Sequence, residues 1–203
     1  AISSVEAAYS SGGYSPSPST SVVSTTEKTT YSTDTTAVVP GANLSSQNQR
    51  LTATGNSTDG YIGGGDASGT DVSTVDKLTY SSETIAAIPG AALSAARESL
   101  AATGNSDAGY FGGGLTSSNV SRMDKLTYST DTTAYTPGAN LSSDRRNMSA
   151  TGNSTHGYFG GGWGPISIMD KVTYSTDTTA QLPGAPLTNT TSESAATGNA
   201  DAG

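Results

Sequence analysis

The sequence predicts an all-β protein made of four copies of one unit, each about four short strands long. Three markers carry that expectation. Pro-Gly occurs at Pro40-Gly41, Pro89-Gly90, Pro137-Gly138 and Pro183-Gly184. Thr-Tyr-Ser centres on Tyr31, Tyr80, Tyr128 and Tyr174, and Ala-Thr-Gly-Asn begins at Ala53, Ala102, Ala150 and Ala196. All three recur at steps of 49, 48 and 46 residues. Repeats near this length belong to propeller blades and to some helical arrays. Gly, Pro, Ser and Thr fill this unit and no helical apolar period persists, which removes the helical option. The expected architecture is therefore a β-propeller of four repeats of about four antiparallel strands each.

The strands are legible in one unit. Ser99–Thr103 is a small-residue strand, ended by the turn residues Gly104-Asn105-Ser106-Asp107. Gly109–Gly113 follows, with Tyr110 and Phe111 ahead of the glycines. Val120–Tyr128 is the third strand: Asp124, Leu126 and Tyr128 share one face, and Met123, Lys125 and Thr127 the other. Ser129–Asp131 turns the chain, Thr132–Thr136 is the fourth strand, and Pro137-Gly138 ends it. Glycine triplets stand at 63–65, 112–114 and 160–162. Glycine weakens a strand unless another group must approach closely, and sheets packed face to face create that need. A phosphate cradle is the rival for these triplets, but no Gly-Lys-Ser/Thr follows and no helix begins there.

The whole chain, 1–203, reads as one repeat domain, with units of approximately 9–56, 57–105, 106–153 and 154–199 and with 200–203 starting another unit or joining residue 1. Tyr9–Gly13 looks like a second strand, and in a closed ring Ser194–Asn199 would complete the unit it begins. Two arrangements follow: a closed four-blade ring, or part of a larger propeller. The unit faces need cover in either case, so association with copies of the chain or with other proteins is expected.

Composition bounds function. Ser and Thr make up roughly a third of the chain, charged residues only 13%, and the net charge is −8. An acidic surface disfavours nucleic acid and anionic membranes as partners, and no apolar run approaches membrane-spanning length. With no cysteine there is neither a disulfide nor a thiolate metal site.

The unit resembles the kelch repeat. The carrying string is Arg97, then Tyr110-Phe111-Gly112-Gly113-Gly114, then Tyr128 with its turn; Arg145, Tyr158 and Gly160–Gly162 repeat it. The position that is usually Trp holds Val38, Ala87, Tyr135 and Gln181, and the Arg position holds Asn48 and Thr191 in the outer copies. Its wording, Asp-Lys-Leu-Thr-Tyr-Ser-Thr-Asp-Thr-Thr-Ala with Pro-Gly-Ala-Asn-Leu-Ser, is similar to kelch-like repeats in virion structural and tail-fibre-like proteins of cyanobacterial tailed phages. The resemblance implies a virion or extracellular location, a structural or adhesive role at the host surface, and as partners other virion proteins, copies of the chain, or host glycans and proteins. A carbohydrate-binding propeller and a cellular kelch-type interaction scaffold are the rival functions.

Few residues suggest chemistry. His156, the one histidine, occupies a turn position held by Asp59 and Ala108 in other copies, which reads as turn variation. No nucleophile-elbow motif is present. Asp59, Asp66 and Asp71 are oxygen-rich and make calcium the one cofactor to consider, although EF-hand spacing is missing. Asp76, Asp124 and Asp170 each precede a lysine that faces the other way, so each is expected to accept hydrogen bonds from elsewhere, with Arg97 and Arg145 as donors. Trp163, the only tryptophan, follows a glycine triplet where other copies have Asp66 and Leu115. It is the candidate ligand-binding residue, or else an apolar plug beneath its loop.

Overall fold

In the computed structural model, residues 2–16, 21–164 and 166–197 are described. Their strands run in chain order. Sheet I holds β1 (Ile2–Ser3), β2 (Ala7–Ser11), β5 (Thr26–Thr30) and β6 (Thr35–Val38), with a small hairpin, β3 (Tyr14–Ser15) and β4 (Ser21–Val22), between its second and third strands. Sheet II holds β7 (Thr52–Gly55), β8 (Asp59–Gly63), β9 (Val75–Thr79) and β10 (Thr84–Ala87). Sheet III holds β11 (Ala101–Gly104), β12 (Ala108–Gly112), β13 (Met123–Thr127) and β14 (Thr132–Tyr135). Sheet IV holds β15 (Ser149–Gly152), β16 (His156–Gly160), β17 (Met169–Thr173) and β18 (Thr178–Gln181). Each sheet is an antiparallel meander. The Pro-Gly markers at 89 and 137 open 3-10 turns, Pro89–Ala91 and Pro137–Ala139, that leave the fourth strand.

Composition varies across a sheet for physical reasons. The first strands are Ala- and Thr-rich because they lie side by side: β7 contacts β1 and β11, and β11 contacts β15. The second strands are the core, with all five residues of β12 buried. The fourth strands, Thr-Thr-Ala-Tyr in sheet III, are mostly exposed edges whose threonines keep them polar.

The alternation in the third strand is as expected. Leu126 and Tyr128 face sheet II and pack with Tyr61 and Val75. Met123 faces sheet IV and packs with Phe159 and Val172. The glycines serve close approach. A Cβ on Gly112 would stand 2.8 Å from the Phe159 ring. At Gly113, φ is +64° and a Cβ would stand 2.6 Å from the Arg145 carbonyl oxygen.

One expectation is corrected. Sheet I is completed by Ile2–Ser3, paired through Ile2 with Tyr9, and not by Ser194–Thr197, the described part of the segment that a closed ring would place there. Ser194–Thr197 form no strand, and Gly198 and Asn199, like 200–203, lie outside the described residues. The local reason is that Ile2 buries its side chain against Gly60 and within the sheet I–II core.

Candidate functional site

Most of the charged and aromatic residues that recur go into joining the sheets, and they do so three times over. Tyr9 stacks on Tyr80, Tyr61 on Tyr128 and Tyr110 on Tyr174, with ring centroids 5.4, 4.9 and 4.9 Å apart. Each first-named tyrosine donates its hydroxyl to a carboxylate in the turn of the next sheet: Glu83 at 3.4 Å, Asp131 at 2.6 Å and Asp177 at 2.5 Å. The lysine beside it on the neighbouring strand pairs with the same carboxylate: Lys28 with Glu83, Lys77 with Asp131 and Lys125 with Asp177. Those carboxylates sit on left-handed turn residues, with φ of 53°, 50° and 52°. Burial pushes the phenols of Tyr61, Tyr80, Tyr110 and Tyr128 well up, and that of Tyr174 to about 12. For Tyr61 and Tyr110 the hydrogen bond to Asp131 and Asp177 adds to the rise.

A second recurring device sits where the chain enters each sheet. Arg97 is fully buried; it bonds Asp124 at 2.7 Å and the carbonyls of Phe111 and Gly113 at 3.0 and 2.9 Å. Arg145 repeats this with Asp170 and the carbonyl of Gly161. Both arginines are thus the donors expected for the repeated aspartates. Burial lowers the pKa of both, and the facing carboxylate opposes that shift. In sheet II, Asn48 stands in the arginine's place, bonding Gly64, and Asp76 keeps the serine amide bond, from Ser45, that Asp124 and Asp170 also accept.

What varies is one end of the molecule. After each glycine run, the next residue is pinned by its backbone to the segment that enters the sheet. The Asp66 amide donates to Gln49, Leu115 to Glu98 and Trp163 to Arg146. A chain of left-handed residues ties these segments together, Ser99 donating to Arg50, Asn147 to Ser99 and Glu193 to Asn147. Trp163 is 52% exposed, with the Arg146 guanidinium 5.3 Å from its ring centroid. It stands in solvent and not beneath its loop. Tyr14 holds the same position after Gly12-Gly13 in sheet I and is 57% exposed. Aligning the glycine runs would have revealed it.

The three calcium candidates do not come together as a set. Asp59 opens β8 and bonds Thr58 and Thr79, whereas Asp66 follows the far end of that strand and bonds Gln49 and Gly69. Asp71 faces Asp66 through a backbone bridge, and burial raises its pKa. Among the described residues no group of three or more His, Asp or Glu side chains could hold a metal ion. His156 is the first residue of β16 and not part of the turn, with Nδ1 2.8 Å from the Thr155 hydroxyl.

No protein-family model and no curated protein matches the chain. Among solved structures it is similar to that of YjhT, with a TM-score of 0.74 over 95% of this chain and 71% of that one. At 10% identity the likeness is one of fold.

Proposed function

We propose that the four sheets are blades of a kelch-like β-propeller, and that the protein is a non-enzymatic structural and adhesive component of a phage virion appendage. Two things support the propeller: the first strands lie side by side in chain order, and the YjhT likeness extends over nearly the whole chain. The observation that carries the functional reading is the division of labour among residues. Recurring ionisable and aromatic groups are spent on holding sheets together, and the copies differ in the loops that follow the glycine runs. A scaffold that presents variable loops is built this way. The similarity of the repeat wording to tail-fibre-like proteins of cyanobacterial phages supplies the setting, and an exposed indole supplies a flat apolar face for a sugar ring or a protein partner.

The test is adsorption of the purified protein to cyanobacterial cells and to polysaccharide extracted from them. Trp163→Ala should weaken binding by about thirtyfold, the scale of a binding hot spot, and leave thermal stability essentially unchanged, as expected of a surface substitution. Binding to extracted polysaccharide alone would favour the carbohydrate-module version. Failure to bind cells, or turnover of the polysaccharide, would defeat the adhesive reading.

A further inference from the structure

Lys28, Arg50, Lys77, Arg97, Lys125 and Arg145 each pair with a carboxylate. Arg122 and Arg146 do not, and among the described residues neither guanidinium donates a hydrogen bond to the protein. Each lies instead over an exposed aromatic ring, Arg122 at 4.1 Å from the Tyr135 centroid and Arg146 at 5.3 Å from that of Trp163. Stacking of this kind fixes a guanidinium and leaves its in-plane N–H donors free. On a chain of net charge −8, two cations held in place and left unpaired are set for an anion from outside. The pairing is particular to these copies. Where Arg122 and Tyr135 stand in sheet III, sheet I has Thr25 and Val38, sheet II Thr74 and Ala87, and sheet IV Ile168 and Gln181. Where Arg146 and Trp163 stand, earlier copies have Gln49 with Asp66 and Glu98 with Leu115. Arginine and aromatic ring therefore arrive together. The Tyr135 ring is also anchored, its hydroxyl accepting from Asn140 Nδ2 at 2.9 Å while Asn140 Oδ1 accepts from the Met123 amide at 3.0 Å. Sheet III lies between sheets II and IV, so the surface at Tyr135 is complete on both sides. Both pairs sit at the end of the sheets where the glycine runs lie. The Arg122 carbonyl accepts from Gly113, Trp163 follows Gly162, and the Arg145 amide, donating to Val120, links the two segments.

We propose that Arg122 and Arg146, each held on its ring, bind the acidic groups of an anionic host polysaccharide, the carboxylates of uronic acids or the sulfate esters of sulfated sugars. The anion meets the Nε–Nη2 edge of Arg122, because Nη1 is shut away from solvent. That edge offers two parallel N–H donors, which match a pair of oxyanion oxygens. Tyr135 and Trp163 border the bound sugar and supply apolar contact to its ring. This inference rests on the adhesive reading and names the class of glycan it recognises. The overall charge repels a polyanion at long range, so short oligosaccharides are the proper probes.

Isothermal titration of the full chain with an oligogalacturonate, a sulfated galactan oligosaccharide and neutral maltopentaose tests it. The two acidic probes tell carboxylate from sulfate; at least one should bind, and maltopentaose should not. Arg122→Gln and Arg146→Gln should each weaken that binding at least tenfold, the scale of a lost hydrogen bond to a charged group. Circular dichroism of each variant confirms folding, which neither substitution threatens, since neither arginine has an ion pair to lose. Binding of neither acidic probe, equal binding of maltopentaose, or an affinity indifferent to both substitutions would each overturn the proposal. Adsorption to cells that persists alongside any of those results leaves the adhesive role standing, so the two failures are told apart.

Discussion

Arg97→Met is expected to destabilise the protein by about 3–5 kcal/mol, the usual cost of removing one partner of a buried ion pair. Arg97 and Asp124 are both 0% exposed. Losing the guanidinium leaves the Asp124 carboxylate with only the Ser94 amide and hydroxyl, and strips the carbonyls of Phe111 and Gly113 of a donor. The deficit lies in the uncompensated charge more than in the lost attraction. Arg97→Met combined with Asp124→Leu should therefore recover much of the stability. Asn48 shows what a smaller donor achieves: it keeps the bond to the Gly64 carbonyl and leaves Asp76 with the Ser45 amide as its donor. Arg97→Asn should accordingly fall between the wild type and Arg97→Met. Urea unfolding measures all four proteins. An Arg97→Met loss below about 1 kcal/mol would show that the arginine is not buried as described.

Phe111→Ala should cost a comparable 3–5 kcal/mol through the cavity it opens. Phe111 is fully buried and its ring reaches across to sheet II, 2.9 Å from where a Cβ on Gly63 would stand. The same geometry joins Phe159 to Gly112. Glycine and phenylalanine are thus complementary parts of one junction, and truncating the ring takes a member out of the cluster that holds Tyr61, Val75 and Leu100. The same side-chain loss on the outer face of sheet I is minor, since Ser10 already stands there, exposed. Ser10→Ala should change stability by less than about 0.5 kcal/mol. Thermal unfolding of the pair reads the contrast directly.

Much of this arrangement was legible in the residues. The three markers placed every sheet, and the alternation through Asp124, Leu126 and Tyr128 identified the two faces of the third strand. The aspartate–arginine pairs also followed from sequence, because adjacent strand residues face opposite ways and Asp124 therefore needed a donor other than Lys125. Other features were not legible. Ile2–Ser3 is too short to declare itself as a strand, and its place is decided by burial of Ile2 over Gly60. The lysine–carboxylate pairs cross from one unit to the next, 52 to 55 residues apart in the chain, so reading within one unit hides them. Tyr14 is hidden in the sequence because its glycine run is one residue shorter than the others.

Alkaline titration of the phenols tests the central claim most directly, since a tyrosine pair is buried at each junction. An ordinary tyrosine ionises near pH 10. The folded values for Tyr9, Tyr61, Tyr80, Tyr110, Tyr128 and Tyr174 are raised. The stability these groups contribute is therefore whole below pH 10. It falls above that by about 1.4 kcal/mol per tyrosine per pH unit, because the unfolded chain releases the protons first. The account predicts that these six phenols of the chain's ten tyrosines stay protonated past pH 10, and then ionise together as the β signal is lost. Reversible ionisation of all ten near pH 10, with the β signal intact, would contradict it.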